Sequence, residues 1–272
     1  MKPTRKAGNT EVSGGAAMTS KPTGRGVKDI ASARLAQLNG GAPAATLTEC
    51  LAVDFALLMQ AVVPEIEAQG LALMRSDEKA GISRRMARAA GILLERLGPQ
   101  AIAKLQLHAS DTVRGWACFM VGALPDVPVQ ARLDLIRPFA DDAHFGVREW
   151  AWLAVRPSLT AELETTVKCL LPWTAHSSDR VRRFASESLR PRGVWCAHVP
   201  ALKANPAIAL PLLEPLRADP AIYVQDSVAN WLNDASKDQP EWVREVCARW
   251  SAGAKNAATD RICKRALRTI GP

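Results

Sequence analysis

Val147-Arg148-Glu149-Trp150-Ala151-Trp152-Leu153-Ala154-Val155 is one copy of a pattern that occurs four times in this chain. The other copies begin at Val113-Arg114, Val181-Arg182 and Val224-Gln225, so successive starts lie 34, 34 and 43 residues apart. Three positions after the valine stand Trp116, Trp150, Phe184 and Ser227. Four after it stand Ala117, Ala151, Ala185 and Val228, and eight after it Val121, Val155, Leu189 and Leu232. Offsets of 0, 3, 4 and 8 trace one face of an α-helix, so each copy predicts a helix with one buried side. That reading places Trp116 and Trp150 in the core. An acidic turn precedes each copy (Asp111, Asp141-Asp142, Asp179, Asp219) and is expected to supply N-cap oxygens.

A second apolar segment with a proline near its end comes before most copies. Leu135-Ile136-Arg137-Pro138-Phe139 matches Leu212-Leu213-Glu214-Pro215-Leu216, and Leu170-Leu171-Pro172-Trp173 is a shorter version. Proline there removes a backbone donor and bends or ends the helix. Helix, turn and helix repeating at this period predict an all-α, HEAT-like helical-repeat solenoid, an α-α superhelix. Nearer the N-terminus, helices are expected over Leu47–Gln69, Ile82–Leu97 and Pro99–His108, with breaks at Gly70, Gly81 and Gly98. The solenoid is expected to span residues 29–272. Residues 1–28, rich in Gly, Ser, Thr, Pro and Lys, read as a disordered basic tail.

Composition narrows the function classes. The formal charge is +8, which points to an anionic partner such as nucleic acid. Residues 1–28 account for +5 of it, leaving only +3 on the body. The six cysteines and four histidines show no pair at metal-ligand spacing, so no metal or other cofactor is expected. Free thiols packed as small hydrophobes fit a reducing cytoplasm. No signal peptide is visible, and no apolar run reaches a membrane-spanning length. A monomer is expected.

Three acids stand out from the repeats. Glu149 lies two residues after its valine, Glu187 six and Asp234 ten, so each is one helical turn further along than its predecessor. On a helical wheel they fall at about 200°, 240° and 280° from the repeat valine, away from the apolar face. An acid on such a face is ordinarily just solvated. These three, however, have Trp150 and Trp152 beside Glu149, and Arg190-Pro191-Arg192 and Trp195 after Glu187. Their diagonal predicts convergence on one surface of the stack. Trp195 lies outside the periodic face and is a candidate to stack on a sugar or base. Arg114, Arg148 and Arg182 recur one residue after the valine, which suits either phosphate contacts or ion pairs that span the stack. Asp238 begins a capping pattern, Asp238-Gln239-Pro240-Glu241, for the next helix.

At these positions the chain resembles a known family. Asp179–Trp195, reading Asp-Arg-Val-Arg-Arg-Phe-Ala-Ser-Glu-Ser-Leu-Arg-Pro-Arg-Gly-Val-Trp, is similar to the repeat core of AlkC-type DNA alkylation-repair glycosylases. Tyr223–Asp238, through Ser227-Val228-Ala229-Asn230 and Leu232-Asn233-Asp234, resembles that family's best-marked segment, and Lys264-Arg265-Ala266-Leu267-Arg268 its last helix. The likeness covers roughly residues 30–270, with specific motifs from about 140 onward. Gly193-Val194 stands where the family commonly has Leu-Pro, and Trp231 where it has a second asparagine.

The resemblance implies a HEAT-like relative of the AlkD glycosylases that acts on duplex DNA. Such enzymes excise cationic alkylated bases of the N3-methyladenine and N3-methylcytosine type in base excision repair. It places the active-site acids on Glu149, Glu187 and Asp234, and a DNA-facing tryptophan on Trp195. Arg148, Arg192, Lys237 and Arg268 are the candidate phosphate contacts. A cationic base leaves neutral and needs no general acid, so carboxylates near the sugar would stabilise its oxocarbenium-like charge and orient water. Two other classes stay open: a non-catalytic HEAT-repeat protein that binds damaged or branched DNA, and a protein-binding HEAT scaffold.

Overall fold

A computed structural model describes residues 26–193, 196–253 and 255–271. Most of the tail expected over 1–28 lies outside these residues, and so does Trp195. Among the described residues there are sixteen α-helices and no strand, the all-α solenoid that the repeats require.

The N-terminal part departs from expectation at one place. After α1 (Ser32–Asn39), the single helix expected over Leu47–Gln69 is three: α2 (Leu47–Ala52), α3 (Phe55–Val62) and the start of α4 (Ala68–Ser76). Asp54 is the reason for the first break, because its carboxylate accepts the N–H groups of Ala56 and Leu57 and so caps α3. Pro64 explains the second, since the residue before a proline is driven out of the helical region. Gly70 is not a break. It lies inside α4, so tightly held that a Cβ would sit 2.8 Å from Ile66 Cγ2. Then α5 (Ile82–Leu97) runs between Gly81 and Gly98 as expected, and Gly98 closes it at φ 72°, a conformation that favours glycine. The segment expected over Pro99–His108 contains α6 (Ala101–Gln106).

The repeats follow as α7 (Asp111–Ala123), α8 (Val129–Ala140), α9 (Phe145–Ala161), α10 (Leu163–Leu170) and α11 (Asp179–Glu187). The longer third interval holds α12 (Pro200–Ala204) and α13 (Leu210–Leu213), before α14 (Ile222–Ala235), α15 (Pro240–Ser251) and α16 (Ala257–Ala266). One layer contains α5, α7, α9, α11, α14 and α16, each against the next, and the helices between them form the second layer. The repeat valines and the residues three, four and eight positions on are buried in one continuous core, Trp116 and Trp150 included, except for Ser227, which is buried against Glu187 instead. Neighbouring helices approach closely at Gly122, where a Cβ would lie 2.3 Å from the Ala154 carbonyl oxygen of α9. Pro138 stays within α8, whereas α10 tightens into a 3-10 turn over Leu171–Ala175 around Pro172.

The acidic turns do not cap as expected. The N-cap lies three residues before the valine, and there Ser110, His144 and Ser178 accept the capping N–H groups. Asp111 and Asp179 stand one position too late and are the first helical residues. Five residues before the valine, His108, Asp142, His176 and Asp219 each accept the N–H of the residue two further on. Asp142 and Asp219 then take the recurrent arginine of the preceding repeat: Arg114 Nε reaches Asp142 at 2.9 Å, and Arg182 Nε reaches Asp219 at 2.6 Å. These arginines span the stack as ion pairs. Asp238 does not cap α15 either; Arg192 forms a two-pronged pair with it, and Lys203 lies 3.6 Å away. No helix among the described residues is long and apolar enough to cross a membrane.

Candidate active site

The three acids come from successive repeat helices: Glu149 from α9, Glu187 from the end of α11 and Asp234 from α14. They do come together, but not as an open acidic surface. Glu187 and Asp234 are 4% and 5% exposed, because the face turned away from each helix's own core is covered by its neighbours. Arginines stand between the carboxylates. Arg183 Nη2 lies 2.7 Å from Glu149 Oε1 and 3.6 Å from Glu187 Oε2. Arg190 Nη1 donates to Glu187 Oε1 at 2.8 Å, while its Nε and Nη2 donate to Asp234 Oδ2 at 2.9 and 2.7 Å. Lys237 Nζ ends the row, 3.4 Å from Asp234 Oδ1. Acids and bases therefore alternate along one line.

Glu149 and Glu187 each have a further, neutral partner. Trp152 Nε1 donates to Glu149 Oε2 at 2.9 Å. Ser227 Oγ donates to Glu187 Oε2 at 2.6 Å, and Ser186 Oγ lies 2.8 Å from Ser227 Oγ. Burial alone would push the Glu187 carboxyl upward in pKa. Arg183, Arg190 and the Ser227 hydroxyl more than reverse that, holding it below the ordinary carboxylate value. Burial likewise works against the charge on Arg183 and Arg190, yet their acidic partners raise both above the usual guanidinium value.

A cavity of about 270 Å³ opens here, lined by Glu149, Trp152, Arg183, Glu187, Arg190, Tyr223, Asp226, Ser227 and Asn230. Asp234 lies behind Arg190 and is not part of the lining. Trp231 is fully buried, with its Nε1 on the Leu189 carbonyl oxygen, so the substituted position faces the core while Asn230 faces the cavity. A larger cavity of about 420 Å³ near α2, α3 and α4 contains none of the expected site residues.

The candidate phosphate-binding residues are spread around this site. Arg148 donates through Nε to the Tyr223 hydroxyl and through Nη1 to the Asp142 and Ala143 carbonyls. Arg192 is engaged with Asp238, and Lys237 with Asp234. Arg268 bonds Asn230 Oδ1 at 3.0 Å and the Arg265 carbonyl. Trp195 lies outside the described residues; at Gly193 a Cβ would fall 2.3 Å from Cys196 Sγ, a contact that the cysteine side chain must move to relieve.

Three participants have no role that the repeat pattern assigns. Arg183 and Arg190 look like ordinary basic flanks, and their position between acids depends on how helices stack. Tyr223 is the chain's one tyrosine. A cluster of Cys50, Asp111 and His144 also comes together, although no spacing suggests it. There both His144 nitrogens already have partners, the Ala44 carbonyl at 2.7 Å and the Gly146 N–H at 3.1 Å. Asp111 accepts the Ala44 N–H at 2.7 Å, so this cluster ties the α1–α2 loop to the repeats.

No family model matches the chain. Over 117 residues it is 45% identical to the uncharacterized protein YhaZ of Bacillus subtilis (strain 168), a stretch covering 43% of this chain and 32% of that protein. The chain thus matches about a third of that relative's length. Among solved structures it is similar to the Pseudomonas fluorescens alkylpurine DNA glycosylase AlkC bound to DNA containing an abasic site analog. The TM-score is 0.62 at 24% identity, over 91% of this chain and 65% of that one. It is also similar to smu.31 from Streptococcus mutans UA159, with TM-score 0.58, 22% identity and coverage of 75% and 100%. AlkD2 from Streptococcus mutans gives TM-score 0.57, 21% identity and coverage of 80% and 98%. The chain has the AlkC/AlkD-type HEAT-like fold.

Proposed function

We propose that this protein is a DNA N-glycosylase that removes cationic alkylated bases, of the N3-methyladenine and N3-methylcytosine type, from duplex DNA. The observation that carries this reading is the meeting of Glu149 and Glu187 at one cavity, with Asp234 joined to them through Arg190. It is supported by the likeness of the fold to a glycosylase whose structure contains DNA.

The protonation state suits the chemistry. Glu187 is held ionised at neutral pH and has no proton to give. A neutral adduct, whose base must be protonated as it leaves, gains little from such a site. A cationic adduct leaves as a neutral base, taking the electron pair of the N-glycosidic bond and leaving positive charge on the sugar. Carboxylates at Glu149 and Glu187 stabilise that charge, and one of them orients the water that attacks it. Asp234 acts from behind Arg190, which balances the charge of the buried pair. Arg148, Arg192, Lys237 and Arg268 surround the site as phosphate contacts. The test is an excision assay on duplexes carrying a panel of adducts. Release of N3-methyladenine and N3-methylcytosine, with neutral adducts retained, supports the reading; binding without release of any base contradicts it.

A second reading is a non-catalytic binder of damaged or branched DNA. It draws on the same row of charges, because every acid already has a basic partner and the cluster is complete as a structural element. Tight binding of branched DNA that is indifferent to Glu187→Gln would favour it.

A further inference from the structure

Tyr223 is an aromatic ring that the repeat does not call for. The residue before the repeat valine is Thr112, Gly146 and Arg180 in the other copies. From the first turn of α14 its ring lies beside two guanidiniums, with Arg183 at 4.5 Å and Arg148 at 5.2 Å from the ring centre. Its hydroxyl accepts from Arg148 Nε at 3.0 Å. Arg148 is directed there because the next repeat offers it His176, where Arg114 and Arg182 find Asp142 and Asp219. Arg183 extends from the ring to Glu149 and Glu187. A long, flexible arginine keeps two acids as partners more steadily when a further contact restricts its side chain. A π face does so, through attraction to the cation and exclusion of water.

We propose that Tyr223 is a positioning residue whose ring clamps Arg183 in the one place where its guanidinium reaches both Glu149 and Glu187. The clamp's structural part stands on these contacts alone, and its effect on excision rests on the glycosylase reading. The charged and titratable groups around Glu187 are Glu149 and Arg156 of α9, Arg183 of its own helix, Arg190 and Cys196 beyond it, and Tyr223, Asp226 and Asp234 of α14. Of these, Arg183 alone is held by the ring. Loosening it leaves Glu187 buried with one cation fewer, so its carboxyl becomes easier to protonate.

The test uses the full chain with Tyr223→Phe, which keeps the π face, and Tyr223→Leu, which removes it. Tyr223→Met serves in place of leucine should that variant not fold. Two readouts are followed: the Glu187 carboxyl titration by carbon-13 NMR, and the acid limb of the pH profile for single-turnover excision. The leucine or methionine variant is expected to move the Glu187 titration upward by about one pH unit, and the acid limb with it, while phenylalanine leaves both at the wild-type position. An unmoved Glu187 titration without the ring, or a phenylalanine variant that behaves like leucine, overturns the clamp. The two hypotheses fail separately. A protein that excises nothing still shows whether the titration moves, and a protein that excises normally without the ring retains its activity but loses the clamp.

Discussion

Glu187 and Asp234 share one guanidinium, with Arg190 Nη1 2.8 Å from the first carboxylate and Nη2 2.7 Å from the second. Both acids are buried. Two carboxylates taken out of water and brought to one place repel each other unless a cation lies between them, and a cation without them would be equally costly. Arg190 is thus what allows two repeats to contribute acids to one site.

Replacing that arginine should be expensive. Arg190→Met keeps much of the side-chain volume but leaves two buried carboxylates with fewer cations. A loss of about 3–5 kcal/mol is expected in urea unfolding at neutral pH. A loss below about 1 kcal/mol would mean that solvent screens the pair and the shared contact contributes little.

The pH dependence follows from Glu187. Its pKa is lower in the folded protein than the ordinary 4.5, so its ionised form stabilises the fold. That contribution is complete above the unfolded-state value and is lost as the pH falls from there through the lower folded value. Unfolding free energies measured from neutral pH downward should therefore decline for the wild type below about pH 4.5. Glu187→Gln should be less stable at neutral pH and show a shallower decline. Parallel curves for the two proteins would remove Glu187 as a source of acid sensitivity.

At Gly122 the contact between α7 and α9 leaves no room for a side chain. Gly122→Ala places a methyl group against the Ala154 carbonyl, so the helices must separate. We expect destabilisation by about 1–3 kcal/mol despite alanine's better helix propensity. A stabilised variant would show that the helices separate freely.

Much of this architecture is legible in the sequence, and the part that is not has a common cause. Offsets 0, 3, 4 and 8 identify the buried faces of α7, α9, α11 and α14, because periodicity records which side of a helix avoids water. The same arithmetic finds Glu149, Glu187 and Asp234 as a diagonal. It says nothing of what lies across from a given face, and so it gives Arg183, Arg190 and Tyr223 no role between and beside the acids. The turns fail for a different reason. A cap depends on a shift of one residue, and Ser110, His144 and Ser178 hold positions that the neighbouring aspartates seemed to claim. Asp54 and Pro64 interrupt Leu47–Gln69 because local hydrogen bonding and proline sterics override an apolar pattern that continues through them.

Salt dependence separates phosphate contacts from structural pairs. If Arg268 meets a phosphate, Arg268→Ala lowers the slope of log affinity against log salt for duplex DNA by about one unit. Arg114→Ala, which removes an ion pair to Asp142, should leave that slope as it is in the wild type. Equal slopes for wild type and Arg268→Ala would take Arg268 off the DNA-contacting surface.

The acid cluster itself is tested most directly by single-turnover release of N3-methyladenine from a methylated duplex, comparing wild type with Glu187→Gln. Affinity for a duplex containing an abasic site analogue is measured in parallel. Release by the wild type is expected, with a loss of at least about 100-fold in the variant, the scale that follows removal of one electrostatic stabiliser, and binding retained. Release at the wild-type rate from Glu187→Gln, or a wild-type protein that binds the duplex and releases no base, would contradict the proposed role of the cluster.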